Sequence, residues 1–121
     1  MQIKKTHTIA DLFNCDLGGF APEENSVSRI KQFISGLLSE QRLRELGSYY
    51  HFFSPGAVTA VVCLAESHLT FHSWPEKQYV SFDIFLCNQA LDTKEISETI
   101  LCELNNAFFH SLDIKLTPIA R

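Results

Sequence analysis

The side chains most capable of catalysis or metal binding lie together in one segment, from Ala65 to Glu76, with the sequence AESHLTFHSWPE. Ser67 follows a carboxylate and precedes two histidines, while a hydroxyl at Thr59 and a thiol at Cys87 flank the segment. Side chains of these types act as nucleophiles, general bases and metal ligands. By spacing alone the segment also fits a purely structural strand, so chemistry has to be argued from more than proximity in sequence.

Two kinds of site can be weighed on spacing. His68 and His72 form an HxxxH pair, which on a helix would place two imidazoles side by side for a metal ion. The segment has strand character, and four residues of strand span about 13 Å, so we expect no metal here. A Ser-His-acid hydrolase is a second candidate, but the sequence has no GxSxG elbow around Ser67. Ser67 could meet His72 only through tertiary folding.

The segment from Glu66 to Glu76 resembles the prokaryotic S-adenosylmethionine decarboxylase proenzymes. The resemblance is tight from His51 to Cys87 and extends loosely from His7 into the C-terminal part of the chain. It implies one pyruvoyl-dependent decarboxylase domain, residues 1–121, that cleaves itself into a β chain of residues 1–66 and an α chain of residues 67–121. It also implies a homodimer of processed protomers, with active sites near the subunit interface.

The resemblance assigns a role to each reactive side chain. Ser67 would attack the carbonyl of Glu66 and, after elimination, become a pyruvoyl group, the only cofactor that we expect. His72 is implied as the processing base, Thr59 as a residue that assists processing and Cys87 as a proton donor. The pyruvoyl group would form a Schiff base with S-adenosylmethionine and accept the electrons left by carbon dioxide. The product would be decarboxylated S-adenosylmethionine, which serves polyamine (spermidine) biosynthesis.

Substrate-binding residues are implied in the same way. Phe53 matches an aromatic residue on which the family stacks adenine, Phe13 is a second aromatic candidate, and Glu76 matches the acid that holds the ribose hydroxyls. Four positions depart from the family pattern: Thr59 replaces the usual serine, Ala57 and Ala60 replace common glycines, and Asn14 stands where an acid is often found. Two alternatives stay open, namely an arginine or ornithine decarboxylase on the same scaffold and a processing-defective homologue without turnover.

The elements that position these residues follow from hydrophobic periodicity. We predict a strand over residues 6–13 and a helix from Pro22 to about Gln41. Short β-branched and aromatic runs between Gly47 and Asn88 predict three or four strands, and a second helix from Asp92 to His110 precedes a last strand over residues 112–119. This order predicts an α+β fold, a two-layer α/β sandwich with a mainly antiparallel sheet and its helices on one face. A partner subunit is the expected cover for the other face.

Composition excludes several classes of protein. The chain has 121 residues, 45% of them hydrophobic and 20% charged, which is typical of a globular domain. Its net charge of −4 is unfavourable for binding nucleic acid. No apolar run approaches the length of a membrane span, and the four cysteines form neither CxxC pairs nor a dense disulfide pattern. We therefore expect a cytoplasmic protein that binds neither membranes nor nucleic acid.

Overall fold

The computed structural model describes residues 5–17, 26–107 and 113–119. Within these residues the chain forms six β-strands, two α-helices and one short 3-10 helix. In chain order they are β1 (Lys5–Phe13), α1 (Ser26–Glu40), β2 (Glu45–Ser54), β3 (Ala57–Leu64), β4 (Ser67–Trp74), the 3-10 helix (Pro75–Lys77), β5 (Tyr79–Cys87), α2 (Thr93–Ala107) and β6 (Asp113–Ile119). The region for which the sequence predicted three or four strands contains four.

The strands form one sheet in the order β2-β3-β4-β5-β1-β6, and every neighbouring pair is antiparallel. Strands β2 to β5 are consecutive in the chain, so they form a meander of hairpins with short connections. Strand β1 then pairs with β5, which brings the start of the chain against its middle. The segment that carries Ser67 and His72 is β4, in the interior of the sheet.

The alternation of side chains along the strands explains the core. In β5 each second residue is buried, because successive side chains of a strand point to opposite faces. These buried strand residues belong to one cluster with the apolar stripes of both helices, so α1 and α2 cover the same face. The two-layer sandwich with helices on one face is confirmed. The helix residues of the cluster are Ile30, Ile34, Leu37, Leu38, Ile100, Leu101 and Leu104.

Both helices follow their sequence signals. The three-and-four spacing of apolar residues in α1 places them on the buried stripe, as predicted. Asp92 caps α2, because its Oδ1 accepts a hydrogen bond of 3.0 Å from the Glu95 N–H. The predicted helix limits Pro22 and His110, and the predicted start of the last strand at Leu112, lie outside the described residues. Among the described helices, none combines the length and apolarity that a membrane crossing requires.

The opposite side of the sheet, which we call the open face, is not covered by any described residue. Its side chains are mostly half-buried and are richer in histidine, threonine and aromatic residues than in aliphatic ones. Among the apolar residues of the central strands, Val61, Cys63 and Phe85 lie on this face, whereas Phe71 and Phe82 are buried under the helices. The open face is formed by residues that include His7, Ile9, Asp11, Thr59, Val61, Cys63, His68, Thr70, His72, Trp74, Tyr79, Ser81, Asp83 and Phe85.

Candidate active site

Ser67 is the first residue of β4 and follows a two-residue hairpin loop. Leu64 and Ser67 are paired across this loop, which consists of Ala65 and Glu66. A loop this short needs a residue with positive φ, and Glu66 takes that conformation with φ of 62°. For a residue other than glycine the left-handed region costs about 1–2 kcal/mol. The peptide bond that the sequence marks for cleavage therefore follows a strained residue.

The hydroxyl of Ser67 meets the end of β5. The backbone N–H of Cys87 donates a hydrogen bond of 2.9 Å to Ser67 Oγ. By the alternation of side chains along β4, Ser67 is on the same side of the sheet as the buried residues of this strand, the side that the helices cover. There it lines a cavity together with Leu86 and Thr93. Cys87 belongs to the other alternation, so its side chain leaves the sheet on the open face. The backbone of Cys87, rather than its thiol, holds the serine hydroxyl.

Thr59 and His72 form a second group on the open face. They are directly opposite each other on β3 and β4, and a hydrogen bond of 3.0 Å joins Thr59 Oγ1 to His72 Nδ1. The ring of Trp74 stacks on that of His72 with centroids 5.9 Å apart and planes inclined by 27°. The imidazole is thus fixed through one nitrogen and one face, which leaves Nε2 for chemistry.

Two of the three predicted substrate residues join this second group in one pocket. Phe53, at the exposed end of β2, is 65% accessible, and Glu76 lies in the 3-10 helix that follows β4. The hairpin between β2 and β3 brings Phe53 beside Thr59 and His72, and the end of β4 brings Glu76 to the same place. The residues that line this pocket are Phe53, Ser54, Ala57, Thr59, His72, Ser73, Trp74 and Glu76.

Phe13 lies outside that pocket but is linked to it by stacked rings. Its ring stacks on Tyr79 at 5.3 Å, and Tyr79 stacks on Trp74 at 5.1 Å. The hydroxyl of Tyr79 donates a hydrogen bond to Asp11, and burial together with this bond raises the pKa of Tyr79. Asp11, a carboxylate that could have faced a cationic substrate, is therefore engaged by Tyr79. The ladder of Phe13, Tyr79, Trp74 and His72 runs across three strands of the open face.

The two groups are far apart in a single chain. Ser67 and His72 are five residues apart on one strand, and five residues of strand span about 16 Å. The hydrogen bonds pair Ser67 with Cys87 and Thr59 with His72. One copy of the chain therefore holds the Ser67 hydroxyl at one end of β4 and the Thr59–His72 pair, with the aromatic pocket, at the other.

A third cluster on the open face was missed by sequence reasoning. His7 Nε2 lies 2.5 Å and His68 Nε2 lies 3.5 Å from Asp83 Oδ2, while Thr70 donates a hydrogen bond to Asp83 Oδ1. Burial raises the pKa of Asp83, but the hydrogen bonds from Thr70 and His7 and the charges of both histidines outweigh it, so that its pKa is lowered. His68 therefore lies beside Asp83 and His7, which belong to other strands, rather than beside His72. The alternation of side chains along β1 and β5, which places His7 and Asp83 on the same face of the sheet, was the sequence signal that could have revealed this cluster.

Comparison with known proteins identifies the family of the chain. The family described as S-adenosylmethionine decarboxylase matches residues 6–115. An S-adenosylmethionine decarboxylase proenzyme from Shouchella clausii is 37% identical over 101 residues, which cover 82% of this chain and 74% of that protein. One from Aquifex aeolicus is 31% identical over 99 residues, 82% of this chain and 70% of that protein. The crystal structure of adenosylmethionine decarboxylase from Aquifex aeolicus superimposes with a TM-score of 0.78 at 25% identity and covers 100% of this chain and 92% of the other.

Proposed function

This chain belongs to the S-adenosylmethionine decarboxylase family, and from that premise we propose that it is a self-processing, pyruvoyl-dependent decarboxylase of S-adenosylmethionine. The observation that carries the proposal is the position of Ser67. Ser67 directly follows the strained residue Glu66, and its hydroxyl accepts a hydrogen bond from the Cys87 N–H. It also lies beside a cavity that offers room for rearrangement.

Self-cleavage begins with the hydroxyl of Ser67. Its oxygen attacks the carbonyl carbon of Glu66, the amide nitrogen of Ser67 takes a proton, and the amide becomes an ester on Oγ. Removal of the Cα proton of residue 67 then expels the carboxylate of Glu66 from Cβ. Water replaces nitrogen at Cα, ammonia leaves, and a pyruvoyl group remains on residue 67. The products are residues 1–66 and residues 67–121, and the strain at Glu66 is released when the bond breaks.

His72 is the base for elimination, and it reaches residue 67 from a second copy of the chain. The two groups lie at opposite ends of β4, so a two-fold axis that crosses the middle of this strand places the Ser67 end of one copy beside the His72 end of the other. The open face carries the exposed apolar side chains that such a partner would cover, among them Val61, 47% accessible. When Nδ1–H donates to Thr59, Nε2 of His72 keeps the lone pair that a base needs.

The pyruvoyl group supplies an electron sink for the loss of carbon dioxide. The chain supplies the rest of the site. Cys87 delivers a proton to the substrate carbon, because its side chain leaves the sheet beside residue 67 on the face that the partner covers. Phe53 offers an aromatic face for adenine, and Glu76 offers two acceptor oxygens for the ribose hydroxyls. Phe13 extends this aromatic surface through Tyr79.

Intact mass spectrometry tests the processing step. We expect the purified protein to appear as two fragments that break after Glu66, with a borohydride-reducible end on the second fragment. Ser67→Ala removes the nucleophile and should leave one full-length chain. Ser48→Ala, at an exposed position of β2, is the matched control and should be cleaved like the wild type. A full-length wild type after long incubation would contradict the proposal and favour a processing-defective homologue.

Release of carbon dioxide tests the substrate. The cleaved protein is incubated separately with S-adenosylmethionine, arginine and ornithine, and we expect release from the first alone. Phe53→Ala and Glu76→Gln should each raise KM for S-adenosylmethionine more than they lower kcat, because they contact the nucleoside rather than the reacting carbon. Cleavage followed by release from arginine or ornithine would refute the substrate and retain the pyruvoyl chemistry.

A further inference from the structure

Three ligand-type side chains from three neighbouring strands meet on the open face. His7 on β1, Asp83 on β5 and His68 on β4 each offer one ligand atom, and these atoms all lie within 4.8 Å of one another. We propose that His7, His68 and Asp83 form a binding site for a divalent transition-metal ion of the Zn²⁺ class. This site is separate from the pyruvoyl chemistry, and its occupation does not depend on the proposed function.

The ligand types select the kind of ion. Two imidazole nitrogens with one carboxylate oxygen form a set that Zn²⁺ takes while it keeps a fourth position open. Mg²⁺ and Ca²⁺ prefer oxygen ligands throughout, so a site with two imidazoles disfavours them. In a single copy of the chain the side chain of His68 is 44% accessible, so an ion can enter from the open face before a partner covers it.

The distances are close to those that an ion requires. A tetrahedral ion with bonds of about 2.0–2.1 Å holds its ligand atoms about 3.3–3.4 Å apart. His68 Nε2 is already 3.5 Å from Asp83 Oδ2. His7 Nε2 is 2.5 Å from the same oxygen, so this pair must open by about 1 Å as the ion replaces the hydrogen bond between them. The nitrogens of His7 and His68 lie within 4.8 Å of each other, so this pair has at most about 1.5 Å to close, and small side-chain rotations are enough for all three ligands.

Neighbouring residues hold the ligands in place. Thr70 donates a hydrogen bond to Asp83 Oδ1, which leaves Oδ2 directed at the two histidines. Phe85 contacts both rings, since it stacks on His68 at 5.7 Å and meets His7 edge-on at 5.6 Å. Hydrogen bonds to a ligating carboxylate and packing around ligating rings are the usual supports of a metal centre. The site is thus largely organised before an ion binds.

Co²⁺ titration of the intact chain tests this proposal. The protein is stripped with a chelator and titrated with CoCl₂, and visible d–d absorption is recorded before ZnCl₂ is added as a competitor. We expect one Co²⁺ per chain with the strong absorption of tetrahedral coordination, no thiolate charge-transfer band, and displacement by Zn²⁺. At a Zn²⁺ concentration of about 100 times Kd the melting temperature should rise by roughly 10 °C.

Variants locate the ion. His68→Ala changes an accessible side chain and Asp83→Asn keeps the shape of the residue, and each should weaken Co²⁺ binding by at least about 100-fold. His51→Ala removes an exposed histidine of β2 and should leave the affinity unchanged. Far-UV circular dichroism verifies that each variant is folded.

Three results would overturn the site. The first is wild-type protein that binds no stoichiometric Co²⁺, and the second is a Co²⁺ affinity that is unchanged in either His68→Ala or Asp83→Asn. A thiolate charge-transfer band would also reject it, because the ion would then be held by a cysteine such as Cys63, which pairs with His68 across β3 and β4.

Discussion

Joint production of two inactive variants tests whether one active site draws residues from two copies. Ser67→Ala lacks the proposed nucleophile, and His72→Ala keeps that nucleophile but lacks the proposed base. In one chain the two residues are about 16 Å apart along β4, so we expect His72 to act on residue 67 of the other copy rather than its own. Each variant alone should remain uncleaved. A mixed dimer has one complete site, formed by Ser67 of the His72→Ala chain and His72 of its partner.

The expected yield follows from random pairing. With equal amounts of both chains, about half of the His72→Ala chains pair with a Ser67→Ala chain, so cleavage should approach that fraction and stop. Different affinity tags separate the two chains, and intact mass spectrometry then shows which of them is cleaved. Native mass spectrometry verifies that mixed dimers are present.

Two outcomes would refute the reasoning. If mixed dimers form and no His72→Ala chain is cleaved, the site is contained within one copy and the chain must rearrange to close it. If His72→Ala alone is cleaved at the wild-type rate, His72 is not the base, whatever the assembly. A mixture of His51→Ala with Ser67→Ala is the control, since the His51→Ala chain should be cleaved completely in its own dimers.

Two further predictions concern stability. Ser73→Ala should lower the free energy of unfolding by about 2 kcal/mol, because the buried hydroxyl accepts a hydrogen bond from the Val58 N–H (3.0 Å) and donates one to the Gly56 carbonyl (2.5 Å). Urea unfolding measures this loss, with Ser48→Ala as the control. Equal stability of the two variants would contradict the prediction. The pKa of Asp83 is lower in the folded chain than its ordinary value of 3.8, so its contribution to stability is present above that pH and is lost as the pH falls through the folded value. The stability difference between wild type and Asp83→Asn, measured in metal-free buffer, should therefore shrink on acidification, and a difference that widens would contradict the direction.

Local signals in the sequence were sufficient for the elements and the class of fold. The periodicity of apolar residues such as Ile30 and Ile34 predicted α1, and a cap at Asp92 or Thr93 predicted the start of α2, because such patterns act within one or two turns of helix; in the structure the cap is Asp92. The order of the elements then predicted the sandwich. The segment around Ser67 was sufficient to indicate the family, since it is contiguous in the chain.

The grouping of the reactive residues was decided by the tertiary structure. Ser67 meets the backbone of Cys87 because β4 and β5 are paired in one particular register. His7 meets Asp83, 76 residues away in sequence, because β1 inserts beside β5. Which residues face each other across a sheet depends on strand order and register, and a shift of one residue would exchange the two faces.

The sequence alone thus determined which side chains are available, which elements carry them and which family the chain resembles. The structure decided that Ser67 and His72 lie at opposite ends of one strand with different hydrogen-bond partners, and that His68 lies beside Asp83. The physical reason is that helices and turns are encoded by neighbours in the chain, whereas the contacts that form a site are made between strands that only folding brings together.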